Sequence, residues 1–378
     1  MSASFSNLPD RILFSSELDD VSLSTDAQSV DVTVVISPGD AGPVFAQTLW
    51  PYAGKVTLPL ADILQTRMRE RAAAGRTPEL FTLSLSVRDH VQDIPLISRQ
   101  VRAICMPDTS PAIPPQEFLE SEFLTPSRIR RFPPGMAHTL YALLSPGHAL
   151  TPEIRYVAAA KDGTQWASRM FLDDIPAPDD YTVKSFRINP ADILRYAALN
   201  DEQGYYPADS LSLLSATLRV GPRQATVFYD PTLDPSERFD FRNRFLAPES
   251  LFADSPPRRT LEFRRSFASL SHRSVPYGPT CIEAFRSRVP AVTPEEFSLL
   301  SDLLDSPLVT RPLWRYEDDF TTQEEEPLVI TEAEPVYGPE EEEPPVAEIT
   351  WRFCDDRRQL TVPDRRSRFT DQYDSTFF

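Results

Sequence analysis

The chain has 378 residues, 38 of them Lys or Arg and 56 Asp or Glu, for a formal net charge of −18. Only Lys55, Lys161 and Lys184 are lysines, and so acidic a chain is badly placed to neutralise phosphates, which excludes general nucleic-acid binding. With 11 glycines and neither G-x-x-x-x-G-K-[ST] nor G-x-G-x-x-G, phosphate-cradling nucleotide chemistry is excluded as well, and no cofactor is expected.

A hydrophobic share of 41% is too high for a disordered chain, and the length suffices for several domains. The 38 prolines, about twice the usual ~5% share, favour short elements with many edges and turns, hence β over helical bundles. The opening Met1-Ser2-Ala3-Ser4-Phe5 has no basic or apolar leader character, and no apolar run approaches ~18 residues. These features predict synthesis in the cytosol and no membrane anchor. Three widely spaced cysteines, Cys105, Cys281 and Cys354, support neither a disulfide framework nor a C-x-x-C metal site and are expected as buried free thiols.

In chain order, Val30, Val32, Val34 and Ile36 alternate with polar residues and predict a half-buried strand, turned at Ser37-Pro38-Gly39-Asp40 into a second run at Pro43–Trp50. A short extended piece at Lys55–Leu58 precedes Ala61-Asp62-Ile63-Leu64 and a helix over 60–71. Phe81, Leu83, Leu85 and Val87 then give the clearest alternation in the chain. The same order recurs: Ile154–Val157, an Asp162-Gly163 hairpin signal, a return strand with Trp166, Ala191-Asp192-Ile193-Leu194 in a helix over 190–198, and a strand at Leu211–Val220. The helical word and the later strand are both displaced by 130 residues, the mark of an internal duplication.

The expected fold is therefore mainly β: tandem β-sandwich domains, immunoglobulin- or fibronectin-like, with few short helices. Residues 1–109 form the first sandwich, 110–132 a Pro-rich linker and 133–232 the second sandwich. Residues 233–378 form a β-rich C-terminal domain with one short helix at 293–305, capped by Thr293, and an acidic segment at 317–348. Residues 238–288 carry ten arginines against five acids, whereas 317–348 carry thirteen acids and no base. Such opposed charge suits association within or between copies of the chain. The Glu340–Glu343 run reads as a solvated, mobile loop rather than an ion site.

No histidine of the four (His90, His138, His148, His272) is spaced to share a metal with another, so no metal site is predicted. A Cys281–His272 pair lacks further catalytic context, and no G-x-S-x-G elbow occurs. Calcium at Asp173, Asp174, Asp179 and Asp180 competes with a reading of solvated loop acids, and no acid pair is singled out for glycoside hydrolysis. No catalytic residues are predicted.

Phe239-Asp240-Phe241-Arg242-Asn243-Arg244-Phe245-Leu246-Ala247-Pro248-Glu249-Ser250, with the Arg-rich strand that follows and Ile349-Thr350-Trp351-Arg352-Phe353, resembles virion or tail-associated structural proteins of bacteriophages and prophages of Bacteroidetes-type bacteria. Its core is the R-N-x-F-x-x-P-E stretch. The resemblance, mainly over residues 238–378, implies a non-enzymatic tail or baseplate component of the virion, whose partners are its own copies and other virion proteins. The expected assembly interface comprises Arg242, Arg244, Phe245, Glu249, Arg258, Arg259, Arg264, Arg265, Glu340, Glu341, Glu342 and Glu343. An alternative, a carbohydrate- or receptor-binding adhesin on the same sandwiches, predicts an exposed aromatic platform, with Trp50, Trp166 and Trp314 as candidates. A third, a hydrolase, requires two acids converging in a concave pocket.

Overall fold

Apolar side chains at every second position can be buried only if another layer covers that face, so the alternating runs dictate packed sheets. The computed structural model describes residues 2–354 apart from 20, 40–41, 108–113, 201–205, 271–272, 292, 318–319 and 337–345, with backbone alone at 262–270, 273–282, 294, 313–317, 320–324 and 335–336. The chain is mainly β.

The first sandwich comprises β1 (Ala3–Ser6), β2 (Ile12–Phe14), β3 (Ser22–Thr25), β4 (Val30–Ser37), β5 (Phe45–Leu49), β6 (Lys55–Thr57), α1 (Leu60–Ala73), β7 (Phe81–Asp89) and β8 (Pro95–Ile104). Its sheets are β2-β8-β7-β4-β5 and β1-β3-β6. The inward rows Val30, Val32, Val34, Ile36 and Phe81, Leu83, Leu85, Val87 share one core with Leu23 and Leu58 of the smaller layer and Leu64 and Met68 of α1. Each such side chain contributes roughly 1.5–3 kcal/mol through removal from water.

After α2 (Pro115–Ser121), the second sandwich repeats this order with β9 (Ile129–Phe132), β10 (His138–Leu144), β11 (Glu153–Ala160), β12 (Gln165–Phe171), β13 (Thr182–Ile188), α3 (Pro190–Asn200), β14 (Leu211–Val220) and β15 (Arg223–Tyr229). Its larger sheet is β9-β15-β14-β11-β12, opposite the β10-β13 pair. The five-stranded sheets match strand for strand, and β10-β13 corresponds to β3-β6, with no counterpart of β1. The match includes the parallel edge pair, β2 with β8 and β9 with β15, in otherwise antiparallel sheets. The expected hairpin is closed at Gly163, whose φ of +89° is one that L side chains rarely adopt.

The Pro-rich 110–132 stretch, expected as a linker, instead supplies core elements. Pro115 opens α2, which buries Phe118 and Leu119, and β9 buries Arg130 and Phe132. Arg223 explains the local fold, since its guanidinium donates to the carbonyls of Leu119, Glu122 and Leu143, satisfying acceptors at the end of a two-turn helix.

The remaining elements are β16 (Arg238–Arg242), β17 (Pro248–Phe252), β18 (Arg258–Leu270), β19 (Arg273–Pro290), α4 (Pro294–Asp305), β20 (Val309–Glu317), β21 (Phe320–Val336) and β22 (Val346–Phe353). The strands form one sheet, β17-β16-β20-β21-β22-β19-β18. Two compact units result: Met1–Thr232, Phe241–Glu249 and Thr293–Leu308 in one, and Leu233–Asp240, Ser250–Val292 and the described residues from Val309 onward in the other. Residues 233–378 are thus shared between both units. In the second unit Trp351 is buried beside Phe239 and Phe285, with Arg311 over the Phe239 and Trp351 rings and paired with Glu237. Much of the acidic 317–348 segment is strand, since β21 spans Phe320–Val336 and β22 begins at Val346. Cys105 is buried as expected, its thiol pushed up to about 12 by desolvation, but Cys354 is exposed, past the end of β22.

Candidate functional site

The resembling segment folds inward. Asn243 organises it: its side-chain oxygen accepts from the N–H groups of Phe245 (2.9 Å) and Ala247 (3.0 Å), and its Nδ2 donates to the Leu124 carbonyl (3.0 Å). The tight loop puts Leu246 at φ +63°, so that consecutive side chains point to different cores. Leu246 joins the first sandwich core, while Phe245 and Ala247 join a cluster with Ile12, Phe14, Ile104, Phe118, Leu124, Tyr141 and Leu143. Phe245 lies 5.3 Å from the Phe118 ring and 6.3 Å from Phe14, centroid to centroid.

Behind it Glu249 is 4% exposed and ionically paired with buried Arg130 at 2.5 Å. Thr125 Oγ1 (2.7 Å) and Asn243 Nδ2 (3.3 Å) also donate to its carboxylate. Such bracing is what a buried ion pair needs to offset desolvation. His138 is buried against Phe132, with its Nε2 unpartnered among the described residues, and desolvation lowers its pKa to about 4. Arg244 donates to Asp302 of α4 at 2.8 Å from Nε and 3.0 Å from the backbone, and to Ser298 Oγ at 2.9 Å. Burial nevertheless raises the Asp302 pKa.

The expected assembly surface is accordingly divided. Phe245 and Glu249 are interior, and half-buried Arg244 is committed to Asp302; the local alternation of charge and aromatics looks like an exposed basic patch only while its partners, far away in sequence, are unseen. Arg242 is half-buried, its backbone N–H bound to Ser306 Oγ at 2.9 Å. Arg258 and Arg259 are exposed on β18, with Arg259 paired to Glu283. The side chains of Arg264 and Arg265, and all of Glu340, Glu341, Glu342 and Glu343, lie outside the described residues. Where the basic and acidic segments meet, Arg286 faces Glu348 at 3.6 Å inside one sheet.

Sequence reasoning did not find a second arrangement, on the outer face of the first sheet. Asp31 of β4 pairs in register with Thr48 of β5 and Arg88 of β7. Thr48 Oγ1 donates to the Asp31 carboxylate at 2.6 Å, and His90 Nδ1 lies 3.0 Å from both its oxygens. These two bonds lower the Asp31 pKa. Just past the end of β5, Trp50 is 73% exposed, and Tyr52 is 89% exposed. Trp166, by contrast, is half-buried and stacks on Tyr206 at 5.8 Å, and Trp314's side chain lies outside the described set.

Of the loop acids considered for calcium, Asp174 accepts from Thr151 (2.7 Å) and Asp180 pairs with Arg102 (2.7 Å). Among the described residues no three His, Cys, Asp or Glu side chains converge for a metal. His272 and the Cys281 side chain lie outside the described residues. A hollow of about 600 Å³ beside α1 holds Asp62 and Glu70, the latter paired with Arg67 at 2.7 Å.

The fold and these arrangements define a mainly β protein of tandem sandwiches bearing a third, seven-stranded sheet. No family model and no curated protein matches the sequence. Among solved structures, the Plexin A4 full extracellular region (domains 1 to 10) is similar at 9% identity and a TM-score of 0.21, over 92% of this chain. The chain spans 31% of the length of that structure, and the likeness is too slight to carry a function across.

Proposed function

We propose that the protein is a non-enzymatic structural component that acts by protein–protein assembly and, following the resemblance of residues 238–378, belongs to a phage-type virion, in its tail or baseplate. The observation that supports this most is the β18–β19 hairpin. Its strands pair from Arg258↔Arg286 to Leu270↔Arg273, yet β22 accompanies β19 only over Phe285–Pro290. From Thr260 outward the ladder has two strands among the described residues, a run of about 35 Å at ~3.3 Å per residue. Two-stranded ribbons are marginal alone in water, and an open edge is a template for another chain. Such a ribbon fits an arm that is completed by a neighbouring copy or another virion protein.

Light scattering behind size exclusion tests this reading at low and high salt. The intact chain is expected to form an oligomer that weakens with salt, and replacement of residues 262–282 by a short turn is expected to leave a folded monomer. A monomer at both salt levels up to high protein concentration overturns the proposal.

A further inference from the structure

We infer that the outer face of the first sheet, where β4 begins and β5 and β7 end, is a binding site for a neutral glycan, with Trp50 and Tyr52 as stacking platform and Asp31, Arg88 and His90 as hydroxyl-binding groups. This is independent of the assembly reading. Residues two apart on a strand share a face. Thr48 and Arg88 flank Asp31 on this face; Trp50 follows Thr48 by two residues, just past the end of β5, and His90 follows Arg88 by two, just past β7, where its bond to Asp31 holds it on the same side. Tyr52 follows Trp50 across Pro51, whose ring fixes the backbone between them.

The platform is pre-organised. Tyr52 and Lys55 exchange N–H···O bonds of 2.9 and 3.0 Å around Ala53 and Gly54, both at positive φ, and the Gly54 carbonyl accepts from the Thr25 N–H at 2.9 Å. With its backbone fixed in this way, the segment carrying the two aromatics has little main-chain freedom to lose on binding. They also contribute nothing to the core.

The chemistry of the surroundings selects the occupant. A pyranose offers a face of C–H groups for an aromatic ring and a rim of hydroxyls. Asp31 uses part of its acceptor capacity on Thr48 and His90 and keeps lone pairs for further donors. His90 and Arg88 are both exposed beside it; Arg88 spends one terminal nitrogen on Asp93 at 3.0 Å and keeps its other guanidinium donors. A half-exposed carboxylate in the middle of the patch suits an apolar protein partner poorly, and with the net charge of −18 it disfavours a polyanionic glycan. Thr33, Ser84 and Ser86 continue the same face as small hydroxyl groups, a flat surface for an extended chain. The fold does not require any of this. At the matching end of the second sandwich, Phe171 lies under Arg169 at 5.0 Å, and Gly221-Pro222 closes β14–β15 with no counterpart of the His90 loop.

Isothermal titration of the full chain with laminarihexaose, cellohexaose, mannohexaose and chitohexaose, and with a heparin hexasaccharide, tests the site. At least one neutral oligosaccharide is expected to bind and the heparin fragment not to bind. Trp50→Ala and Tyr52→Ala, both at exposed positions that leave the core intact, should each weaken binding at least tenfold, and Asp31→Asn should do the same with an unchanged circular dichroism spectrum. No binding of any neutral probe at millimolar concentration overturns the inference, as does binding that survives Trp50→Ala. Self-association abolished by Trp50→Ala without glycan binding overturns it in favour of a second copy of the chain.

Discussion

Glu249 shows how one carboxylate can be misread from its neighbours in sequence. Its stretch alternates arginine with aromatics, but its partners are Thr125 and Arg130, more than a hundred residues away. Glu249→Gln takes the carboxylate from a buried guanidinium and should destabilise by about 3–5 kcal/mol in urea unfolding. Because apolar replacement of a whole buried pair is often neutral, Glu249→Leu combined with Arg130→Met should recover most of that loss. His138 sits in the same region and makes a pH prediction. Its pKa falls from 6.5 to about 4 on folding, so the unfolded chain binds the proton first. Stability from this group is complete above about pH 6.5 and declines as pH falls towards 4, by an amount on the order of 3 kcal/mol. Histidine NMR titration checks this: the assigned His138 resonance should stay neutral to below pH 5, and a midpoint near 6.5 would show that the ring is not desolvated.

Among the elements, α4 was the most legible, because its signals are local. Thr293 Oγ1 accepts from the Glu296 N–H at 3.1 Å, with Pro294 in the first turn, and the helix stops before Pro307. Thr293→Ala should cost about 1 kcal/mol, read as a lower urea midpoint at unchanged slope. The Glu295 carboxylate reaches the N–H groups of Arg128 (2.8 Å) and Ile129 (3.1 Å), an anchor to β9 that no spacing rule encodes. The duplication was legible for a similar reason, since each Ala-Asp-Ile-Leu word opens a helix at one fixed offset from an alternating strand, although the face it buries differs: Ala61 and Leu64 in α1, Ile193 and Ala197 in α3. Helix α2 was not, since its short Pro-rich sequence is held by Arg223 from far down the chain. Of the β18–β19 ribbon the return strand was hidden, because Pro276-Tyr277-Gly278-Pro279 looks like a turn, whereas β19 continues through it with a register shift at Gly278-Pro279. Trp50 could be named as a platform candidate from its residue type, whereas Asp31, Thr48 and His90 could not be grouped, because only strand pairing brings them together.

For the molecule as a whole, a charge of −18 spread over 378 residues sets the terms of any assembly. Self-repulsion opposes association at low salt, while attraction between arginine-bearing and acidic surfaces favours it. Screening beyond about 10 Å at 0.1 M salt weakens both. The salt dependence expected above is therefore a sign test, and an oligomer that tightens with salt would point to apolar contacts instead. The interleaving of the two units also bears on how the protein is made. The first unit takes Phe245 and Asp302 from segments synthesised well after Thr232. At about 5–20 residues per second, the ribosome needs several seconds to deliver these last pieces. During that interval the seat between Phe14 and Phe118 stands open on a nascent chain whose sandwich strands have already emerged. Completion of the first unit is thereby timed to the late appearance of α4.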